Sequence, residues 1–289
     1  MPLLDYQFSY NSFNFGNGTP FQIADIDGLA SQPDLRVQDA PRGYSDGYLT
    51  GRDFYNGRSM TFTFMVFAGN GNSAQQNWAL FTAALKPVQQ LTSANSLLQF
   101  KLSPTDSAKR MNARVRTRKA KIDPNYTYGF ITAQVEFFAP DYRYYDETLV
   151  TSATLVPQIA NGRIYNRTYN LVYTQALSGN TAATASVNNS SGTAAVGPVI
   201  TITGPVTYPQ ISNLTTGKFI QLASTFASSD TVVIDMTNNT VTLNGSNARN
   251  FVTGGSQFFT VPSGATESLY FTASSGTGNA VVTYRQAYA

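Results

Sequence analysis

The side chains that most enzymes use for catalysis are missing from this chain of 289 residues. It contains no His and no Cys, so Ser–His and Cys–His nucleophilic sites are impossible, as are imidazole and thiolate metal sites. Carboxylates such as Asp25, Asp27 and Asp141 remain, but nothing in their spacing sets two of them across a cleft, as a glycosidase requires. We therefore expect no enzyme activity, no catalytic residue, and no bound metal or cofactor.

The densest charged segment is basic and covers residues 109–121. Strand alternation would place Arg114, Arg116 and Arg118 on one face. Such a stripe can follow a phosphate backbone, or it can meet acidic residues of a neighbouring subunit. We favour the subunit interface, because the aromatic residues expected of a single-strand nucleic-acid groove are absent from this strand. The other interface candidates come from a Gly-rich arm at residues 42–58 and from the residues at its end: Asp46, Arg52, Asp53 and Arg58.

The charged residues of the N-terminal half lie among segments whose sequence patterns predict several strands and one helix. Ser73 as N-cap, Gln76 as its capping-box partner and Pro87 as a stop predict a helix whose apolar face packs on a sheet. The Asn56–Gly57 pair predicts a tight turn. The strand patterns at 97–102, 111–122 and 128–140 predict an antiparallel sheet. The N-terminal half is therefore expected to be a β-barrel or sheet with one packed α-helix. Strand patterns occur at 6–15, 34–40, 60–68, 97–102, 111–122 and 128–140.

The C-terminal half consists of strand-and-turn segments. Apolar and polar residues alternate over 197–222, 230–245, 256–274 and 278–289, with Gly, Pro, Asn or Ser between the strands. This spacing predicts an antiparallel β-sandwich. Residues 175–196 contain few bulky apolar residues and predict either a poor strand pair or a loop between strands.

Charge is distributed unevenly along the chain. Residues 1–150 contain 14 basic and 13 acidic side chains, whereas residues 151–289 contain 5 and 3. This contrast predicts two domains, residues 1–148 and 149–289. The uncharged stretch from Thr168 to Gly217 is rich in Thr, Ser, Asn and Gly, which does not fit a membrane span. The N-terminal residues lack the pattern of a signal peptide, so we expect synthesis in a cytoplasm.

Both halves resemble one family, the distal tail proteins of long-tailed (siphovirus-type) phages. The N-terminal half resembles the belt domain of that family in its element order, in its arm from Arg52 to Arg58 ahead of an apolar strand, and in the APDYRYY segment at 139–145. The C-terminal half resembles the family's sandwich, which is similar to galectins and carbohydrate-binding modules. The residues that carry this second resemblance are Gly204–Pro205, Pro209, Asn213 with Thr216–Gly217, the hairpin from Asp235 to Asn244–Gly245, Phe258–Phe259 and Tyr284–Arg285.

The resemblance implies a structural virion protein. Its N-terminal domain would form a six-fold ring (a homohexamer) that joins the tail tube protein to the tail-tip hub and other baseplate proteins, with the sandwich projecting outward. DNA would pass through the lumen of the ring without specific binding. The implied location is the virion tail tip, after synthesis and assembly in the host cytoplasm.

The alternative is a carbohydrate-binding adhesin or receptor-binding module that acts in host attachment. Sandwiches of this kind also occur in carbohydrate-binding domains, where exposed aromatic rings stack on sugars. The ligand would then be a host cell-wall glycan. The candidate stacking residues are Tyr208, Phe251, Tyr270 and Tyr288.

Overall fold

The computed structural model describes residues 2–90, 97–121, 124–159 and 183–289. The chain divides into two compact units, Met1–Glu147 and Thr148–Tyr288. Strands dominate both units, and the fold is mainly β, as predicted.

The first unit contains one α-helix among short and long strands. Its elements are β1 (Gln7–Tyr10), β2 (Phe13–Gly16), β3 (Phe21–Asp27), β4 (Leu35–Arg36), β5 (Ala40–Pro41), β6 (Tyr48–Leu49), β7 (Phe54–Tyr55), β8 (Arg58–Phe67), α1 (Ala74–Ala84), β9 (Leu97–Lys101), β10 (Lys109–Asn112), β11 (Arg114–Lys121), β12 (Phe130–Ala139) and β13 (Tyr144–Asp146).

Two sheets build this unit. One has the strand order β11-β12-β8-β3, and the other runs β2-β1-β9-β10-β13 within the unit. Only the buried Ala113 separates β10 from β11, so one long strand passes from the second sheet into the first. The strand at 97–102, predicted to share a sheet with 111–122 and 128–140, pairs instead with β1 and β10 in the second sheet.

Aromatic rings fill the core of the first unit. Phe62 lies 5.3 Å from Phe8 and 5.2 Å from Phe137, both edge to face, and all three rings are fully buried. Phe81 of α1 packs on Phe64 at 4.9 Å. Alternation explains this: residues of β8 at even positions from 60 to 66 are buried, because one face of the strand is covered.

The helix begins where the sequence predicts. The Gln76 backbone N–H donates to Ser73 Oγ at 3.2 Å, and the Ser73 N–H donates to Gln76 Oε1 at 2.8 Å, which completes the capping box. Its end at Ala84 leaves backbone carbonyls of the last turn without helical partners. These carbonyls become acceptors for an arginine described below.

Residues 34–56 form an arm in which every residue is exposed. Two short ladders hold it together, β4 with β7 and β5 with β6. The chain reverses where the Arg42 N–H donates to the Gly47 carbonyl at 3.1 Å. The predicted turn at Asn56–Gly57 is therefore wrong: Asn56 continues the ladder by donating to the Asp34 carbonyl at 2.8 Å.

The second unit is built of short strands. Its strands are β14 (Val150–Thr151), β15 (Gln158–Ile159), β16 (Thr184–Asn188), β17 (Val199–Thr203), β18 (Val206–Thr207), β19 (Gln210–Asn213), β20 (Phe219–Gln221), β21 (Thr225–Phe226), β22 (Thr231–Asp235), β23 (Thr240–Leu243), β24 (Ser246–Asn247), β25 (Thr266–Ala273), β26 (Ser275–Gly276), β27 (Asn279–Tyr284) and β28 (Ala287–Tyr288).

Two main sheets and one small sheet organise these strands. The first runs β14-β27-β17-β22-β23-β24; the second runs β15-β25-β19-β20, with β16 also on β25; the small sheet is β21-β18-β26. Every second residue of β17, β22 and β27 is buried, as a sandwich requires. The pairs are antiparallel as predicted, except that β15 runs parallel to β25. The hairpin predicted at 230–245 is confirmed as β22 and β23.

The segment after Glu147 is part of the second unit's sheet. Val150 and Thr151 pair with β27, and the buried Leu155 bridges to Ala280. In the predicted weak segment 175–196, residues 184–188 form β16, whereas residues 175–182 lie outside the described part of the chain.

Candidate subunit interface

The alternation of inward-facing and outward-facing side chains along the basic strand β11 shifts at a β-bulge. Val115 pairs with Phe137 and Thr117 pairs with Glu136, so Arg116 is the extra residue between them. Directly paired residues share a face, which places Arg118 with the buried Val135. The prediction that Arg114, Arg116 and Arg118 share one face is therefore wrong, because the bulge shifts the alternation.

Arg118 and Arg114 donate hydrogen bonds to backbone carbonyls of their own unit, at the C-terminal end of α1 and in the residues just after it. Arg118 Nη1 donates to the carbonyl of Thr82 at 2.5 Å and to that of Leu85 at 3.2 Å, which satisfies carbonyls at the helix C-terminus. Desolvation by burial lowers the pKa of the Arg118 guanidinium. Arg114 Nη1 donates to the carbonyls of Val88 and Gln89. Both side chains thus hold the turn after the helix against β11.

The cations of β11 that remain exposed are Arg116, Lys119 and Lys121. The Arg116 guanidinium carbon lies 3.4 Å from the centre of the Phe138 ring. Lys119 pairs with Gln134. Because β11 is an edge strand of its sheet, Arg116 and Lys119 border the edge of the sheet. Part of this edge is covered where the Val88 N–H donates to the Val115 carbonyl at 3.0 Å.

The opposite edge of the same sheet is acidic. β3 is the other edge strand, and its exposed acidic residues are Asp25 and Asp27. Following the pairs across the sheet, Asp25, Thr63, Gln134 and Lys119 form one row. The two ends of this row are three strand spacings apart, about 14 Å. An ion pair between Asp25 and Lys119 therefore cannot form within one chain.

The centre of the face between these edges is polar, with Glu136 as its charged residue, whereas Met65, Phe67, Phe130 and Phe138 lie towards the ends of the same face. The Glu136 carboxylate accepts hydrogen bonds from Ser59 Oγ at 2.8 Å and from Thr117 Oγ1 at 3.1 Å. Thr61, Thr63 and Gln134 share this face. The sheet thus has one aromatic, buried face and one face with a polar centre and apolar ends, which the rest of the unit leaves partly open.

Arg58, predicted as an interface residue, lies inside the first unit and is 2% exposed. Its guanidinium donates to the carbonyls of Gly28 (3.2 Å), Leu29 (2.6 Å), Ser31 (2.8 Å) and Tyr142 (3.0 Å). Desolvation by burial lowers its pKa. The interface assignment is corrected, because these contacts use the side chain to close the base of the arm. Alternation carried a signal for this, since Arg58 is in phase with Met60 and Phe62.

The other arm candidates are exposed. Asp46 lies at the reversal of the arm, Asp53 Oδ1 accepts from the Gln38 N–H at 3.4 Å, and Arg52 lies 5.4 Å from the centre of the Phe54 ring. Sequence reasoning selected these charges and missed the apolar residues between them. The large apolar side chains exposed on the arm are Leu35, Val37, Tyr44, Tyr48, Leu49, Phe54 and Tyr55.

The four aromatic candidates of the second unit differ in exposure. Tyr208 is 47% exposed. Phe251 is half-buried and packs edge to face on Phe226 at 6.0 Å. Tyr270 and Tyr288 are half-buried as well, and Tyr288 Oη donates to Gln286 at 3.1 Å. The structure thus singles out Tyr208 as the ring most open to a ligand.

Among the residues that the structure describes, no helix has the length and apolar character needed to cross a membrane. No cluster of three or more acidic side chains suited to a metal ion occurs among the same residues.

Residues 191–288 match the family model described as the siphovirus-type tail component, C-terminal domain. The resemblance to siphovirus distal tail proteins is thereby confirmed. No curated protein matches the chain.

Two solved structures share the fold over nearly the whole chain. The distal tail protein (Dit) of phage SPP1, described as a paradigm of the hub adsorption apparatus in phages infecting Gram-positive bacteria, has a TM-score of 0.65 at 13% identity, covering 98% of this chain and 99% of the other. A chain of the phage P2 baseplate, in its activated conformation with Ca, has a TM-score of 0.51 at 11% identity, covering 97% of each chain.

Proposed function

We propose that this tail component is a structural protein, not an enzyme, and that its first unit forms a six-fold ring between the tail tube and the baseplate. The observation that carries the proposal is the pair of opposite edges of one sheet: Arg116 and Lys119 on β11, Asp25 and Asp27 on β3. A cyclic ring uses a head-to-tail interface, in which two different patches of each subunit meet. Complementary charge gives such an interface its register.

The geometry of the sheet supports a ring with an open lumen. If β11 of each copy lies beside β3 of the next, six copies contribute about 24 strands, more than the roughly 16–18 that leave an aqueous channel in porins. Lys119 of one copy would then meet Asp25 of the next, which continues the row that is interrupted within one chain. The polar face with Thr61, Thr63 and Gln134 would line the lumen, where DNA passes without specific binding.

The arm adds an apolar contact to the charged one. Contiguous exposed apolar residues mark interaction surfaces. The arm's large Leu, Val, Tyr and Phe side chains are at least 42% exposed within the unit, although Tyr55 stacks on Tyr142. We assign the arm to the adjacent subunit of the ring. The partners of the assembled ring would be the tail tube protein on one side and the tail-tip hub with other baseplate proteins on the other, at the virion tail tip after assembly in the host cytoplasm.

Charge reversal with rescue tests this proposal. The double variant Arg116→Glu with Lys119→Glu should abolish the ring, since two acidic edges then repel, and native mass measurement of the full chain should show a monomer. Adding Asp25→Lys and Asp27→Lys restores opposite edges and should restore the ring. Lys218→Glu, a charge reversal at an exposed site in the second unit, is the matched control and should assemble normally. A ring that survives the double variant would reject the edge contact.

A further inference from the structure

Tyr208 has a backbone conformation that a tyrosine rarely adopts. Its φ is +50°, in the left-handed region where a bulky residue is an outlier. It also precedes Pro209, and a residue before proline favours extended conformations with negative φ. Such conformations persist only where the surrounding structure enforces them, and they are frequent at functional sites.

Hydrogen bonds on both sides enforce this conformation. The Tyr208 N–H donates to the Ser224 carbonyl at 2.9 Å, the Thr207 carbonyl accepts from the Ser274 N–H at 2.9 Å, and the Pro209 carbonyl accepts from the Leu222 N–H at 3.0 Å. Had strand alternation continued, Tyr208 would face the buried side with Val206. Instead the ring is 47% exposed. The hydrogen bonds therefore hold the backbone of Tyr208 in a conformation that leaves its ring exposed.

Thr207, which precedes Tyr208 in the chain, belongs to a row of hydroxyl groups. The small sheet β21-β18-β26 pairs Thr207 with Thr225 on one side and with Ser275 on the other. Paired residues share a face, so the three hydroxyls cross the sheet in one line, and none of the three residues is buried. The other face of the sheet carries the buried Val206 and Phe226. We name Tyr208, Thr207, Thr225 and Ser275 the tyrosine platform.

The platform carries no charge. Residues 206–209, 224–228 and 274–278 contain no Asp, Glu, Lys or Arg, so an ionic ligand would find no partner here. A pyranose sugar presents an apolar C–H face together with a rim of hydroxyl groups. Tyr combines an apolar ring with a polar tip, and each Ser or Thr hydroxyl both donates and accepts. The two chemistries match at the scale of one or two sugar rings.

We propose that the tyrosine platform is a binding site for an uncharged pyranose oligosaccharide. Tyr208 stacks on the sugar ring, and Thr207, Thr225 and Ser275 exchange hydrogen bonds with its hydroxyls. The site is shallow and built from one ring, so the affinity of a single subunit is weak, roughly millimolar. The site belongs to the second unit and does not depend on the ring proposed above, so either proposal can fail without the other.

The experiment uses the full chain and an array of uncharged hexose and N-acetylhexosamine oligosaccharides, followed by NMR titration of the bound sugars to about 10 mM. Tyr208→Gly deletes the ring at a position where Gly is unstrained, so the fold should be kept while affinity falls about tenfold or more. Tyr208→Asn, which also tolerates this φ, is the second ring-deleting variant. Thr207→Val with Ser275→Ala should weaken binding, and Tyr208→Trp should retain it.

The matched control is Tyr128→Ala, which removes a tyrosine that is 82% exposed in the first unit and should leave binding unchanged. The proposal is overturned if no uncharged oligosaccharide shifts the NMR signals of the second unit by about 10 mM, or if the array selects only charged sugars. It is equally overturned if both ring-deleting variants bind as tightly as the unchanged chain.

Discussion

The two units use different side chains to donate hydrogen bonds to loop carbonyls in their interiors. In the first unit, Arg58 satisfies loop carbonyls from inside the protein with its guanidinium. In the second unit, the fully buried Asn189 does this with an amide, donating to the carbonyls of Ala194 at 2.8 Å and Pro262 at 3.0 Å. The difference shows that cations are structural parts of the first unit, so its charge count alone overstates how many cations face a partner.

The hydrophobic cores of the two units also contain different types of residue. Aromatic rings such as Phe62 and Phe137 fill the first core, whereas the second is dominated by β-branched and aliphatic residues such as Ile200, Ile234 and Val282. Rings fill the space between two sheets and a helix, while branched side chains suit two sheets packed face to face. Each unit therefore has a core of its own.

The largest expected effect separates the units. Residues 1–147 alone should form the ring, and residues 148–289 alone should stay monomeric, because the charged edges and the arm in the described part of the chain both belong to the first unit. Native mass measurement of each piece decides this. Salt should weaken the ring, since the Debye length falls from about 10 Å at 0.1 M to about 3 Å at 1 M. A monomeric first piece beside an oligomeric second piece would reverse the assignment.

The next effect concerns stability. Arg58→Met should destabilise the first unit by roughly 3 kcal/mol or more, because four hydrogen-bonded carbonyls lose a charged donor and remain in the interior. Urea unfolding of the full chain, followed by the signal of the first unit, measures the change. Lys86→Met, at an exposed site, is the matched control and should stay within about 0.5 kcal/mol. Equal midpoints for the two variants would show that the Arg58 contacts contribute little.

Loss of the buried Asn189 amide should lower the stability of the second unit by less than loss of Arg58 lowers that of the first unit. Asn189→Ala should cost about 2 kcal/mol, because two carbonyls lose a neutral donor. Asn238→Ala, at an exposed turn, serves as its control. If Asn189→Ala costs as much as Arg58→Met in the same urea titration, the distinction between charged and neutral donors disappears.

The smallest effect is pH-dependent. The Asp230 carboxylate accepts from the Ala227 N–H at 2.8 Å and from Asn244 Nδ2 at 3.0 Å, and these hydrogen bonds lower its pKa. A lowered folded pKa stabilises the fold above the unfolded pKa of about 3.9, and that stabilisation is lost as pH falls through the folded value. Asp230→Asn should therefore lower the urea midpoint slightly at pH 7, and the difference should shrink below about pH 4. A difference that is constant from pH 7 to pH 2 would contradict this linkage.

Local signals in the sequence predicted much of the fold. The capping box of Ser73 and Gln76 and the hairpin between Asp235 and Asn244 are confirmed, because each depends on residues a few positions apart. The assignment of β9 to the wrong sheet has a different origin. Its partner β1 is about ninety positions away, and alternation does not specify which strands pair.

The candidate interface was harder to predict for a related reason. A bulge at Arg116 adds one residue to β11, and a simple alternation pattern does not reveal it. As a result, Arg118 lies on the face where alternation would place Lys119, and Lys119 lies on the face where it would place Arg118. Arg58 was misassigned because a charged residue is usually exposed, although its phase with Met60 pointed inward. Exposure of Tyr208 depends on a left-handed residue that only the backbone reveals.

The clamp at Arg58 also has a mechanical consequence. The carbonyls of Gly28, Leu29 and Ser31 precede the arm, and Arg58, which follows the arm, is the first residue of β8. A pulling force on the arm tip is therefore not borne by the short ladders alone. It is transmitted into β8, which is paired along its length with β12 and also with β3. There the load acts in shear across many hydrogen bonds at once, so the arm can carry tension as a rigid lever anchored in the middle of the sheet.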